Sequence, residues 1–391
     1  MPTPPTPPRG RGKPIRSGLA WVLSALALVH PVATSAASLD WRLDLLAHFR
    51  EPALAASIAG TLAMLGVRRK VALALGLLAA VQAWQVARHD WPDPVRADPR
   101  SDARLRVLVA NVLTQNEERE PLIRLIRRER PDVVGLIEVS PGWLADLDAV
   151  RSEYPYRYEY PAAARGLAFW SKLPPTEVEP ARPLAPGGNP AFGATLEFAG
   201  RPLRFWLMHN VSPFERPDEL PQGGEFARLA ERVRRDGGPT IVAGDLNSTD
   251  GSPFFRRFLR DSGLRDSRIG HGRQASWPTW SYYRISIDHA FISADLAVVG
   301  RRLGPDIGSD HLPVLLEVAP ALARDDRRPA TNDSPQASSS SATAGSSAAN
   351  LARSAALRNP TSPSDRSGPS RSAMVGSAAI SSVVFEAQDG P

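Results

Sequence analysis

The sequence predicts an α/β fold for residues 104–319, preceded by a membrane region. Within that range, apolar runs of strand length alternate with amphipathic helical segments, which is the pattern of an α/β domain. Before it come three apolar segments, residues 18–37, 52–67 and 71–87. A bilayer needs about 20 apolar residues per helix, so the last two segments are somewhat short. Their Ala, Gly and Leu content and the basic turn between them still favour a membrane-spanning helical hairpin.

The basic residues around these segments predict their orientation. Residues 1–17 form a proline-rich tail with four basic residues and no acid, and the turn at residues 68–70 is Arg-Arg-Lys. The loop at residues 38–51 has three acidic and two basic residues. Because basic flanks stay in the cytoplasm, everything after about His89 is expected outside it. The chain is therefore expected in an inner or plasma membrane, also if the first segment is a cleaved signal peptide.

The alternative is that the three segments are core helices of a soluble domain. Basic rather than amphipathic flanks make that packing harder to achieve. Residues 88–103 are polar and contain proline, which indicates a linker. Residues 320–391 consist mainly of Ser, Ala, Pro, Arg and Asp, which predicts a disordered tail.

Composition limits the chemistry that this chain can perform. The 391 residues carry a net charge of +6 and include no cysteine. Thiolate nucleophiles, disulfides and cysteine-based zinc sites are therefore excluded, and oxygen-ligated metals are the natural option. The positive charge permits nucleic acid or an anionic membrane as a partner and proves neither.

The individual elements follow from the apolar periodicity. Strands are predicted at residues 106–111, 133–139, 166–171, 192–198, 201–209, 240–247, 285–293 and 312–318. Helices are predicted at residues 117–129, 142–150, 226–235 and 253–260.

Several of these strands end in the same way, with an apolar run followed by polar residues. The first four such ends are Asn111, Glu138, His209 and the pair Asp245 and Asn247. A charged side chain in a buried strand is costly unless it is paired or holds a metal. For any one residue, a satisfied core polar group or a turn former is the simpler interpretation. Together, these strand ends predict one convergent site.

Two further polar clusters follow late in the chain, Ser-Ile-Asp-His at residues 286–289 and Ser-Asp-His at residues 309–311. The second cluster cannot be a serine hydrolase triad, because residues adjacent in sequence cannot form that hydrogen-bonded chain. A Gly-x-Ser-x-Gly nucleophile elbow is also lacking from the sequence.

With these motifs in this order, residues 104–318 resemble the endonuclease/exonuclease/phosphatase superfamily, the deoxyribonuclease I-like fold, in a membrane-anchored bacterial form. The motifs that carry the resemblance are Asn111, Pro-Asp-Val-Val-x-x-x-Glu at 131–138, His209, Gly-Asp-x-Asn at 244–247, Ile-Asp-His at 287–289 and Ser-Asp-His-x-Pro at 309–313. The resemblance implies a four-layer α/β/β/α sandwich of two mixed sheets.

The resemblance also implies a role for each motif residue. Glu138 would be the main ligand of a divalent cation, with Asn111 and Asp310 completing or supporting the metal shell. Mg²⁺ is the expected ion and Mn²⁺ is possible, since both accept hard oxygen ligands.

The remaining motif residues would act on the substrate. His311, oriented by Asp288, would contact the scissile phosphate. Asp245 would orient or deprotonate the attacking water, Asn247 would position that water or bind a phosphate oxygen, and His209 would donate to another phosphate oxygen. Whether His289 takes part directly stays open.

The resulting expectation is a metal-dependent hydrolase of phosphodiesters or phosphomonoesters. A nuclease and a lipid-headgroup phosphodiesterase are both compatible with it, as is a small phosphoester substrate. The alternative from another class is a non-catalytic relative that binds phosphorylated ligands. Apart from the membrane and the phosphoester, the sequence indicates no partner.

Overall fold

The computed structural model describes residues 12–213 and 221–322. The α-helices within these ranges are α1 (Gly12–Ala36), α2 (Trp41–Ala47), α3 (Arg50–Met64), α4 (Arg69–Ala87), α5 (Glu120–Glu129), α6 (Pro141–Asp146), α7 (Asp148–Arg151), α8 (Pro221–Asp236) and α9 (Pro253–Ser262). The strands are β1 (Leu105–Asn111), β2 (Val133–Ile137), β3 (Tyr156–Tyr160), β4 (Leu167–Ser171), β5 (Pro175–Pro183), β6 (Pro190–Phe198), β7 (Arg201–His209), β8 (Thr240–Asp245), β9 (Arg265–Asp266), β10 (Asp288–Ile292), β11 (Leu296–Leu303) and β12 (Val314–Pro320).

The strands form two six-stranded sheets among the described residues. The first sheet has the order β11-β12-β1-β2-β4-β3, and the second has the order β5-β6-β7-β8-β10-β9. Strands β1 and β2 are parallel, as are β7 and β8, whereas the other neighbouring strands in these two sheets are antiparallel. Both sheets are therefore mixed, as the resemblance implies.

The two sheets pack face to face with helices on the outside. Val109 and Phe169 of the first sheet join Phe205 and Ile241 of the second in one buried cluster. On the outer face of the first sheet, Leu108 packs with the apolar sides of α5 and α6. On the outer face of the second sheet, β8 packs with α8 and α9. The predicted four-layer α/β/β/α sandwich is confirmed.

The local sequence explains why these elements form where they do. In β1, alternate residues face the two cores, so that both sides of the strand are buried. In α5, Leu122, Leu125 and Ile126 are spaced to lie on one face, and all three are buried. At the end of β8, Gly244 has a φ of 151°, and a Cβ there would lie 1.8 Å from the carbonyl oxygen of Met208. Only glycine allows the two strands to approach so closely.

Several predicted boundaries were wrong. The last two strands begin later than expected, at Asp288 and Val314, and the single helix expected at residues 142–150 is two short helices. Strands β3, β5, β9 and β11 were not predicted. Both β3 and β5 are edge strands of their sheets with no fully buried residue. Strand β5 lacks apolar alternation, whereas the tyrosines of β3 alternate with charged residues, a strand pattern that a search for continuous apolar runs misses.

The three apolar segments form α1, α3 and α4, which pack in a bundle. Two segments, Ser17–Ala36 and Arg69–Asp90, are long and apolar enough to cross a membrane. Helix α3 has 15 residues and is therefore about 22 Å long, shorter than the hydrocarbon core of about 30 Å. Large apolar side chains on the bundle point outward, including those of Leu26, Leu62 and Leu73.

Residues 88–103 pack against the sandwich rather than extending freely. The carboxylate of Asp93 accepts hydrogen bonds from Arg265, and the amide of Asp98 donates to the carbonyl of Pro320 at 2.9 Å. Most of the predicted basic tail, and the predicted disordered tail beyond Leu322, lie outside the described residues.

Candidate active site

The predicted site residues meet because parallel strands end at the same edge of a sheet. In the first sheet, Asn111 at the end of β1 pairs with Ile137, the residue before Glu138. In the second sheet, His209 at the end of β7 pairs with Asp245 at the end of β8. Strand β10 runs antiparallel to β8, so its first residue, Asp288, also pairs with Asp245.

Asn111 joins the two sheets at this edge. Its Nδ2 donates to Oε1 of Glu138 at 2.8 Å and to Oδ2 of Asp245 at 3.1 Å. Its Oδ1 accepts from the amide of Leu113 at 3.0 Å, which holds the side chain in that orientation. A carboxylate from each sheet is thereby held by a single amide group.

Glu138 lies at the open side of this group. It is half-buried, and Thr114 donates its hydroxyl to the Glu138 carbonyl at 2.8 Å. The φ of Glu138 is 63° and that of Asn247 is 47°, both in the left-handed region. Such a conformation costs on the order of 1 kcal/mol or more for a residue other than glycine and is concentrated at functional sites.

His311 connects two aspartates. Its Nδ1 donates to Oδ2 of Asp288 at 2.9 Å, and its Nε2 lies 3.6 Å from Oδ2 of Asp245. Asp288 also accepts from the hydroxyl of Ser276 at 2.6 Å. All of these side chains are buried. The histidine is therefore fixed in one orientation, with Nε2 turned toward the strand ends.

His209 and Asn247 lie on the other side of Asp245. The Nε2 of His209 is 3.9 Å from Oδ2 of Asp245. The amide of Asn247 donates to Oδ1 of Asp245 at 2.9 Å, and its Nδ2 donates to the carbonyl of Asn210 at 2.8 Å. Both side chains thus belong to the group around Asp245.

Asp310 completes the site. Its Oδ1 is 3.9 Å from Nε2 of His311, and its Oδ2 accepts from the indole of Trp277 at 2.9 Å. The Oδ1 atom is buried without a hydrogen-bond partner among the described residues. An unpaired buried carboxylate oxygen is costly, which suits a cation ligand.

The charges at the site perturb one another. Burial raises the pKa of Asp245, and Asp288 acts in the same direction, while His311 and His209 oppose it. Burial alone would lower the pKa of His311, but Asp288 and Asp245 outweigh it and raise that pKa well above the ordinary value. His311 is therefore a charged donor at neutral pH.

A metal could be held in more than one place here. Ligand atoms of Asp245, Asp288 and His311 lie within 4.8 Å of one another. However, Oδ2 of Asp288 already accepts hydrogen bonds from His311 and Ser276, so it is less free to bind a cation. The carboxylates of Glu138 and Asp310 are more available to a cation. Glu138 is half-buried, and Oδ1 of Asp310 has no hydrogen-bond partner among the described residues.

His289, whose involvement was open, lies behind the site. Its Nε2 donates to the carbonyl of Ser248 at 2.9 Å, and its ring packs against Phe255 and Phe291. Sequence reasoning missed Ser276 and Trp277, which hold Asp288 and Asp310. They lie in a loop without any periodicity, so no local pattern singles them out.

The profile of the Endonuclease/Exonuclease/phosphatase family matches residues 108–311, slightly more than half of the chain. The chain belongs to that family. Enzymes of the family generally depend on divalent metal ions, and a cluster of Asp and His side chains is present at this site.

The chain is similar to several known proteins. It is 27% identical over 168 residues to an inositol phosphosphingolipids phospholipase C of Saccharomyces cerevisiae, covering 37% of this chain and 35% of that relative. The chain thus spans about a third of the length of the curated relative it matches. Among solved structures, TDP2 of D. rerio with a single-strand DNA product has a TM-score of 0.47 at 16% identity, covering 56% of this chain and 99% of that one. The human Nocturnin catalytic domain with bound sulfate has a TM-score of 0.48 at 18% identity, covering 58% and 97%.

Proposed function

We propose that this protein is a metal-dependent phosphoesterase that hydrolyses its substrate by in-line attack of water on phosphorus. One observation carries the proposal: the buried carboxylate of Asp245 lies 3.6 Å from Nε2 of His311, whose other nitrogen is held by Asp288. A proton acceptor and a charged donor therefore face the same space, as hydrolysis of an ester requires.

Glu138 and Asp310 would hold the divalent cation, and Asn111 would support it by fixing the carboxylate of Glu138. Carboxylate oxygens favour Mg²⁺, with Mn²⁺ as an alternative. When bound, the cation would neutralise negative charge that develops on the phosphate.

The protein side chains perform the remaining steps. Asp245 orients the water and accepts its proton as the new P–O bond forms. The old P–O ester bond breaks with its electron pair on the leaving oxygen, which solvent protonates. His311 and His209 donate to phosphate oxygens, and Asp288 keeps His311 charged and oriented. Asn247 holds the water or a phosphate oxygen.

We further propose that residues 18–87 anchor the protein in an inner or plasma membrane. The outward apolar side chains of α1, α3 and α4 support this, because a soluble domain would bury such surfaces. In this arrangement residues 1–17 lie in the cytoplasm, residues 88–103 connect the helices to the domain, and the domain at residues 104–319 is extracytoplasmic.

Phospholipid and nucleic acid are the two substrate classes to compare. The yeast relative is named as a phospholipase C, and the D. rerio neighbour is described with a DNA product. The test uses the full-length protein with a soluble phosphodiester, DNA and phospholipid, each with Mg²⁺, with Mn²⁺ and with chelator. We expect hydrolysis of at least one substrate that chelator abolishes. Turnover that persists in chelator would refute metal dependence, and inertness towards every substrate would refute the proposed function.

A further inference from the structure

The loop at residues 278–283 exposes two aromatic side chains. Trp280 is 80% exposed and Tyr282 is fully exposed. Trp and Tyr are enriched at membrane–water interfaces, where the ring is apolar and the polar group is hydrated. We call residues 278–283 the aromatic loop.

One end of the aromatic loop is attached to the active site. Just before it, the indole of Trp277 donates to Oδ2 of Asp310 at 2.9 Å. Within it, the amide of Thr279 donates to the carbonyl of Asp310, and the Thr279 hydroxyl donates to the carbonyl of Ser309, both at 2.9 Å. The aromatic loop therefore forms part of the rim of the site.

The other end of the loop is attached to the apolar helices. The hydroxyl of Tyr283 donates to Oε2 of Glu51, in the first turn of α3, at 2.8 Å. The Tyr283 ring stacks on Phe49 with the ring centroids 6.0 Å apart. Leu46 and Phe49 beside it are each 40% exposed. An apolar surface thus continues from the helices to the rim of the site.

A buried cluster of ion pairs joins the apolar helices to the sandwich. Oδ2 of Asp250 lies 2.6 Å from Nη1 of Arg50 at the start of α3 and 2.7 Å from Nη2 of Arg88 after α4. Arg268 approaches the same carboxylate, and the pKa of Asp250 is lowered, because these arginines outweigh the cost of its burial. Asp250 follows Asn247 by three residues, so the contact lies close to the site.

Close backbone packing supports the same contact. A Cβ on Gly251 would lie 1.9 Å from the carbonyl oxygen of Ala47 at the end of α2. The helix ends that meet the sandwich are the end of α2 at Ala47, the start of α3 at Arg50 and the end of α4 at Ala87. They lie opposite the basic tail and the basic turn, at the face where the proposed topology puts the extracytoplasmic membrane surface.

We propose that the aromatic loop lies in the interface of the bilayer that the helices span, and that the site takes its phosphoester from lipid headgroups of that bilayer. The inference rests on the proposed phosphoesterase function and names its substrate class. The reaction is the hydrolysis described above, with water as the only co-reactant.

The position of the loop can be tested without measuring activity. Because the chain has no cysteine, Tyr282→Cys introduces a single site for a fluorescent label. In vesicles of phosphatidylethanolamine and phosphatidylglycerol, brominated acyl chains should quench a label at residue 282. They should not quench a label introduced by Val299→Cys, an exposed apolar position on β11. Absence of quenching at residue 282 would overturn the inference.

Activity tests the substrate class. The full-length protein should release phosphorylated headgroup, or phosphate from it, from lipids of its own vesicle faster than from protein-free vesicles. The double variant Trp280→Ser and Tyr282→Ser should lower the rate on lipid at least about tenfold, as loss of about 1.4 kcal/mol of interfacial binding does. Its rate on a soluble phosphodiester should stay unchanged, and Val299→Ser should alter neither rate.

The outcomes separate the inference from the proposed function. Hydrolysis of the soluble diester or of DNA without hydrolysis of lipid would overturn the inference and leave the phosphoesterase in place. An unchanged lipid rate in the double variant would also overturn it. Inertness of the wild type towards all substrates would instead refute the proposed function.

Discussion

His311 donates through Nδ1 to Asp288 at 2.9 Å and turns Nε2 toward Asp245, 3.6 Å away. One imidazole is thus fixed by a carboxylate from β10 and faces a carboxylate from β8. The two aspartates therefore differ in position, since Asp288 holds Nδ1 of the histidine and Asp245 faces its Nε2.

Asp288→Asn should therefore impair catalysis through His311. The variant keeps the shape of the side chain but removes the charge that raises the pKa of His311, so the imidazolium is less favoured. We expect kcat to fall about 10- to 100-fold, as for other orienting partners, and the pKa of His311 in NMR titrations to fall. Asp102→Asn, at an exposed position, serves as control. An unchanged pKa of His311 would contradict this role for Asp288.

Asp245→Asn should cost more than Asp288→Asn. Its carboxylate is the proposed proton acceptor, and general-base catalysis contributes about 10²- to 10⁴-fold. Steady-state kinetics on a soluble phosphodiester measure the loss, and circular dichroism checks that the fold is retained. Activity within a few-fold of wild type would remove Asp245 from the mechanism.

Glu138→Gln should weaken metal binding. The amide oxygen has no charge, so the apparent affinity for Mg²⁺ in activity titrations should drop by more than the about 10- to 100-fold that loss of an outer-shell partner costs. Glu197→Gln, an exposed glutamate on β6, is the matched control. If both variants titrate like the wild type, Glu138 is not the main ligand.

His289 should make the protein sensitive to acid. Burial, and then the charge of Arg268, lower the pKa of His289 to about 4 from 6.5. Only the unfolded state then takes up the proton as the pH falls from about 6.5 to about 4, so stability is full above this window and decreases through it. Between pH 7 and pH 5 the loss should be about 2 kcal/mol.

His289→Phe should remove that part of the acid sensitivity, because an apolar ring can pack between Phe255 and Phe291. Thermal unfolding of the full-length protein at both pH values measures it. If the variant loses as much stability on acidification as the wild type, another group is responsible.

The proposed topology predicts the behaviour of reporter fusions. Alkaline phosphatase fused after Val318 should be active and a fluorescent protein fused there should be dark, because both report an extracytoplasmic location. Fusions after Arg68, in the basic turn, should show the reverse. Fluorescence after Val318 would invert the proposed orientation.

Whether a strand could be predicted from the sequence depended on how deeply it is buried. Four strands, β1, β2, β7 and β8, are buried on both faces and are followed by or end in polar residues. Their apolar runs and the adjoining site residues could therefore both be recognised in the sequence. Edge strand β5 was not visible, because its half-exposed residues carry no apolar alternation. Edge strand β3 was missed although its tyrosines alternate with charged residues, because it forms no continuous apolar run. Trp277 and Ser276 contact the site from a loop, where sequence spacing says nothing about distance.

The sequence by itself determined the α/β class, the apolar helices and the residue types available for the chemistry, because apolar periodicity and the cost of a buried charge are local properties. Only the tertiary structure decided which of those residues meet. Parallel pairing within each sheet places Glu138 next to Asn111 and Asp245 next to His209. The packing of the two sheets then lets Asn111 bridge Glu138 and Asp245, although these two residues are far apart in the chain. It also decided that the helices and the aromatic loop meet beside the site, through contacts of Asp250 and Tyr283 with residues about 200 positions earlier.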